Sequence, residues 1–338
     1  MDITFLIGNG FDLSVGLKTR YTDFYPYYFY QAESPNAPVD VFKESIGKDL
    51  ITWADAEVAL GECTGKYTLK QAQNFRDCCD DFLSKLSAYL ILQEKKFTDI
   101  NKESVKRCFL KGLTEFQSFL FDQQTAAIDR LLNAHASEGY TYHFINFNYT
   151  HCFDKCLEML GPKGTKLSGQ IYCKKIGELI HIHGAVGDHG HGMIMGVNDK
   201  SQVKNKAILN KCELMLTIIK PMANENNHLD YFQRCLNAID SSSIICVFGM
   251  SLGKTDNTWW KQIGRNLQEH PDRQLILFQQ RNGYRPWIFA DYLIAERETQ
   301  DLFFKNADIA KADRDSLRNR IHIVVNVDLF GGEEIIKK

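Results

Sequence analysis

The chain has 338 residues, with 40 Lys plus Arg against 42 Asp plus Glu for a formal net charge of −2, and it is 44% hydrophobic and 24% charged. That balance is ordinary for a folded protein and excludes a disordered tail, a coiled-coil rod and a low-complexity scaffold. The near-neutral total, with no long run of Lys or Arg, argues against a protein that grips duplex nucleic acid through many phosphates, and the length suggests about two structural units.

The apolar run over 3–7 stops at Gly8-Asn9-Gly10 and reads as a buried strand turning into a helix that starts near Phe11. The first residues lack the basic and long apolar regions of a signal peptide, and no stretch approaches about 18 uncharged apolar residues, so a cytoplasmic protein without membrane contact is expected. After a polar, Pro-containing loop over 33–38, the pattern over 41–136 is charged and amphipathic, with Phe75, Cys78, Cys79, Phe82, Leu83, Leu86 and Leu90 at helical spacing. Helices packed through these apolar positions are expected there. From 140 onward, short apolar runs predict strands over 142–147, 179–182, 193–197, 244–248, 274–278 and 321–325, and helices over 151–160, 228–240, 256–269 and 288–312. Strands separated by helices predict a parallel sheet. The expected fold is α/β: a Rossmann-like open parallel sheet with a large helical insertion after the first βα unit. Residues 1–30 and 138–338 are expected to form a nucleotide-binding domain and 31–137 the insertion.

Ten cysteines, at 63, 78, 79, 108, 152, 156, 173, 212, 235 and 246, contain no Cys-x-x-Cys. Reduced, partly buried thiols are expected, rather than a disulfide framework or a zinc ribbon.

Four polar motifs follow four predicted strands: Gly8 to Asp12, Asn146 to Thr150, His181 to Gly184, and Gly249 to Gly253. An open parallel sheet places its strand C-termini along one edge, where ligands bind, so the four should converge. Gly8-Asn9-Gly10 suits phosphate, because glycine lets backbone N–H groups approach an anion. Leu13 replaces the third glycine of the dinucleotide fingerprint and no acidic strand end follows, which disfavours a dehydrogenase; a tight turn with Asp12 as a local cap is the alternative. Asn148 offers a neutral donor and acceptor for a water or a ribose hydroxyl. His181 and His183, at period two, should share a face, with His183 at the strand end as a candidate base. Ser251, Thr255 and Asp256 could hold a ribose or phosphate, or simply cap the helix that carries Trp259 and Trp260. Gly-Met-Ser-Leu-Gly also fits a nucleophile elbow, for which His270 or His322 and Asp291 or Asp301 would have to complete the triad.

The ordered set Ile7 to Leu13, Trp53 with Glu57, Phe147 to Thr150, His181 to Gly184, Met195 to Asp199, and Phe248 to Leu252 with Asp256 resembles the AbiH family of bacterial abortive-infection, phage-defence proteins. More distantly it is similar to the sirtuin-like domains of defence NADases. The resemblance implies an antiviral protein that hydrolyses NAD, with NAD as substrate and no bound cofactor or metal. It implies Asn148 and His183 as the catalytic pair, and Gly8, Asn9, Gly10, Phe11, Asp12, Thr150, Gly249, Ser251 and Asp256 as NAD-binding. Gly8-Asn9-Gly10-Phe11-Asp12 departs from the usual Gly-Ala-Gly-x-Ser, and Thr150 stands where Asp is common. The expected partners are NAD or a related nucleotide, a phage or host protein as trigger, and further copies of the chain. Two other readings stay open: a nucleotide-sensing module without turnover, and a metal-dependent hydrolase or nuclease using His181, His183, His189 and His191.

Overall fold

A computed structural model describes residues 1–31, 36–167, 174–188, 192–227 and 229–336. The opening apolar run forms β1 (Asp2–Ile7), which turns into the short helix α1 (Gly10–Ser14). Helices α2 (Tyr21–Phe29), α3 (Ala37–Gly47), α4 (Ala56–Cys63), α5 (Ala72–Glu94), α6 (Lys102–Thr114) and α7 (Asp122–Ala134) come before the chain returns to the sheet. The second part runs β2 (Tyr140–Asn146), α8 (Cys152–Glu158), β3 (Lys174–His181), α9 (Cys212–Ile218), α10 (Lys220–Asn227), α11 (Leu229–Ser241) and β4 (Ser242–Phe248). It ends with α12 (Asn257–Glu269), β5 (Gln274–Gln279), α13 (Phe289–Asn306), α14 (Arg314–Arg318), β6 (Ile321–Val325) and α15 (Gly332–Ile335).

The strands form one all-parallel sheet in the order β3-β2-β1-β4-β5-β6. The chain starts at the centre and winds outward in both directions, the Rossmann-like order, with its switch point between β1 and β4. Both faces are covered, so the strands read as continuous apolar runs rather than alternating ones. One face, with Phe5, Phe144, Cys246 and Phe278, packs against α6, α8 and the Phe330 segment. The other, with Leu6, Ile145, Val247 and Leu277, packs against α11, α12 and α13.

The helices between β1 and β2 divide between two cores. Val105, Phe109 and Leu113 of α6 and Ile128 of α7 belong to the first sheet face. Helices α2 to α5 build a separate aromatic-rich core, in which Phe24, Tyr28, Phe42, Trp53 and Phe82 pack with Val186, Met195, Val197 and Ile218 from beyond β3.

The strand expected over 193–197 does not form. Gly196 has φ +151°, and Val197 pairs instead with the α9–α10 junction, its N–H donating to Ile218 O (2.8 Å) and its carbonyl accepting from Lys220 (2.9 Å). Its apolar residues are buried under α4 and α9 rather than in the sheet, which explains a strand-like pattern without a strand. Strand β3 begins earlier than expected and ends at His181, and the helix expected over 288–312 stops at Asn306, where Asp308 takes a left-handed φ of 60°. The loop expected over 33–38 lies partly outside the described residues, as do Cys173, His189 and His191; the other nine cysteines are free thiols, and all but Cys212 are buried. No helix among the described residues is long and apolar enough to cross a membrane.

Candidate functional site

The parallel register lines up the strand ends. Ile7 stands opposite both Asn146 and Phe248, and Asn146 opposite His181, so the four polar motifs leave the sheet from one row. Above that edge lies a cavity of about 460 Å³, lined on the sheet side by Gly8, Asn9, Asp12, Phe147, Asn148, Tyr149, Thr150, His183, Gly249, Ser251 and Asp256. Its opposite wall comes from the helices between β1 and β2, with Arg20, Tyr21, Asp55, Glu57, Leu86 and Leu90, and from Lys220 at the start of α10.

Asn148 is held by its backbone. Its N–H donates to Asn146 Oδ1 (3.0 Å) and its carbonyl accepts from His181 Nδ1 (2.9 Å), which leaves the carboxamide directed away from the main chain. Both atoms of that carboxamide are buried without a partner, as are His183 Nε2 and Asp12 Oδ1. Buried polar atoms in folded proteins are nearly always paired, so this group beside one cavity makes it a candidate place for a polar ligand or water. His183 lies past the end of β3, edge-on to the Phe147 ring at 5.4 Å. Burial, with the Lys220 ammonium adding to it, holds its imidazole well below its ordinary range and keeps it neutral at physiological pH.

His181 and His183 do not share a face, contrary to the period-two expectation. The strand ends at His181, whose ring turns to α8 and Asp154 (2.7 Å), while the turn that follows carries His183 into the cavity. The pair therefore does not converge on one metal, and His189 and His191 lie outside the described residues.

The glycine turn is not an open cradle for phosphate. Gly8 N–H donates to Phe248 O (2.8 Å), Gly10 N–H to Gly249 O (2.8 Å) and Phe11 N–H to Gly8 O (3.0 Å). A Cβ on Gly10 would come within 2.4 Å of Gly249 Cα, so Gly8-Asn9-Gly10 and Gly249, at φ +71°, interlock as two backbones in contact. Gly10 and Phe11 do not line the cavity, and Phe11 is core, edge-on to Phe109 and Phe153. The Asn9 side chain is engaged with Thr19, as acceptor from the hydroxyl (2.5 Å) and donor to the carbonyl (3.3 Å). Asp12 is not a local cap: its Oδ2 accepts from the Thr150 hydroxyl (2.7 Å). Burial pushes its carboxyl up to about 7 against that hydrogen bond, and the Glu94 and Asp154 carboxylates add to the rise.

The sequence pattern gave no sign of Lys220. It is 3% exposed, and its ammonium donates to Glu57 Oε2 (2.7 Å) and Asp256 Oδ1 (2.8 Å), joining α4 to the β4–α12 connection. Burial opposes its charge, but Asp256 and Glu57 together outweigh that and hold it well above its ordinary value. Burial, reinforced by Asp256, pushes the Glu57 carboxyl up to about 7 against the pull of the ammonium. The lining thus carries four carboxyls, Asp12, Asp55, Glu57 and Asp256, against two cations, Arg20 and Lys220.

A serine triad is not assembled. Ser251 lines the cavity, but His270, His322, Asp291 and Asp301 do not; His322 is bonded to Gln274 (2.9 Å), Asp291 to Arg285 (2.8 Å) and Asp301 to Arg318 (2.5 Å). The Trp pair after Asp256 is packing: Trp260 donates to Gly253 O (2.9 Å) and Trp259 lies edge-on to Phe147.

No curated protein matches the chain. A family model described as Bacteriophage abortive infection AbiH matches residues 4–278, a span that encloses every cavity-lining residue from Gly8 to Asp256. This agrees with the resemblance carried by the four strand-end motifs, and the chain belongs to the AbiH family of bacteriophage abortive-infection proteins.

Proposed function

We propose that this AbiH protein acts in phage defence by hydrolysing the bond between nicotinamide and ribose in NAD. The observation that carries the reading is the set of unpartnered buried atoms on Asn148, His183 and Asp12 around one cavity at a switch point of the sheet. Nicotinamide leaves a cationic N-glycoside as a neutral molecule, so the reaction needs no general acid; it needs stabilisation of an oxocarbenium-like ribose and a directed water. The carboxyls of Glu57 and Asp256, which outnumber the Lys220 ammonium between them, suit the cationic end of the dinucleotide. Arg20, exposed on the wall of the cavity, suits the diphosphate. The Asn148 carboxamide would hold the ribose or the water. As water attacks C1′ and nicotinamide departs with the bonding pair, neutral His183 takes the released proton on Nε2. The products are nicotinamide and ADP-ribose.

The test is intracellular NAD during phage challenge, with wild type, Asn148→Ala and His183→Ala at matched expression. NAD is expected to collapse only with the wild type. Constant NAD in wild-type cells that still abort infection would remove the NADase reading and leave a cavity that senses a nucleotide or acts on another.

A further inference from the structure

Outside the cavity, at the start of α8, stands a second cluster of ligating side chains that the proposed reaction does not use. His151, Asp154 and His181 each offer one donor atom within 4.8 Å of the other two. None of the three lines the cavity. His181 Nδ1 faces the Asn148 carbonyl at 2.9 Å, and a carbonyl can only accept, so Nδ1 carries the proton. In the neutral ring Nε2 is then a lone pair, with the Asn146 Nδ2 donor at 3.4 Å but Asp154 Oδ2, another acceptor, closer at 2.7 Å. Two acceptors at that distance share a proton, and a metal would enter by displacing it. His151 repeats the arrangement. Its Nδ1 lies 3.5 Å from Glu94 Oε2, a carboxylate fixed by Lys155 (2.7 Å), and its Nε2 lies 3.2 Å from Asp188 Oδ1. Each imidazole therefore has Nδ1 on an oxygen acceptor and Nε2 on a carboxylate, the orientation found in metal-ligating histidines.

We propose that His151, Asp154 and His181 form a binding site for a divalent transition metal of the zinc type, with the Asp188 carboxylate beside it as a fourth donor. Two imidazoles and a carboxylate match zinc in hardness, and once zinc displaces the protons that the imidazoles share with their carboxylates, Asp154, Asp188 and Glu94 face the single Lys155 and leave negative charge for a dication to neutralise. Tetrahedral zinc holds its donors roughly 3.3 Å apart, so side-chain rotation would part His181 Nε2 from Asp154 Oδ2, now 2.7 Å apart, and bring the more distant His151 donor in. The site joins the ends of β2 and β3 to α8 and reaches the cavity through the Asn148 carbonyl. Its role is to position that loop. The site is independent of whether NAD is turned over.

The test uses the full chain, stripped with EDTA and titrated with zinc chloride by calorimetry. The expected result is about one zinc per chain, a higher Tm with zinc, and an affinity lower by on the order of 100-fold or more in His151→Gln. His151 is partly exposed, so that variant is expected to fold even if Asp154→Asn does not. Replacement by cobalt(II) should give ligand-field bands without thiolate charge transfer. Absence of stoichiometric zinc, unchanged affinity in His151→Gln, or thiolate charge transfer from the chain's cysteines would each overturn the site.

Discussion

Gly10 and Gly249 show how a residue can occupy a motif position for a reason the motif does not state. The glycines after β1 read as a phosphate turn, but their N–H groups are taken by Phe248 and Gly249, and the absence of a side chain serves the contact between two backbones. Gly10→Ala would drive a Cβ to 2.4 Å from Gly249 Cα, where no side chain can rotate aside. A loss of at least about 2 kcal/mol is expected, measurable as a lower denaturation midpoint at unchanged m-value. Asn148 and His183 were legible in the sequence because each follows a strand end, and strand ends of a parallel sheet share one edge. What the sequence could not convey was where each side chain turns once its strand stops. His181 and His183, two residues apart, therefore end in different surroundings.

Among the elements, the start of α10 is tied across the fold by one side chain. Lys220 links Glu57 of α4 and Asp256 before α12, which are separated from it by 163 and 36 residues. Nothing local marks such a partnership; only the fold brings the three together. Lys220→Met would leave two buried carboxylates facing each other, at a cost of about 3–5 kcal/mol at pH 8. The cost should shrink toward pH 6, because without the ammonium that pulls it down the Glu57 carboxyl, already raised to about 7 in the wild type, takes a proton more readily still. Adding Glu57→Gln to Lys220→Met should recover part of the loss, and chemical denaturation of the three variants at both pH values checks this. The parallel sheet itself was readable, because strands covered on both faces are short unbroken apolar runs bounded by helical stretches. The same rule misled at 193–197, where an equally apolar run is buried by helices instead.

At the scale of the whole molecule, stability should depend on pH through groups that the fold forces to stay neutral. His322 is 2% exposed in β6, and burial holds its imidazole down to about 4 from an ordinary 6.5. The unfolded chain takes up a proton near 6.5 and the native chain does not, so stability is full above that value and falls as pH drops from 6.5 to 4, by up to about 3 kcal/mol. Asp12 and Glu57 work in the opposite direction, since their raised carboxyls bind protons in the native state first. His322→Gln isolates the histidine: its Tm is expected to fall less between pH 7 and 5 than that of the wild type.

The sheet order also bears on how the chain is made. Strand β1 is central, yet its partners β2 and β4 lie more than 130 and 230 residues further along. At roughly 5–20 residues per second of synthesis, this buried central strand waits on the order of 10–50 s for its second neighbour. During that interval Ile3, Phe5, Leu6 and Ile7 are an unclaimed adhesive segment on the ribosome, a natural target for a nascent-chain chaperone.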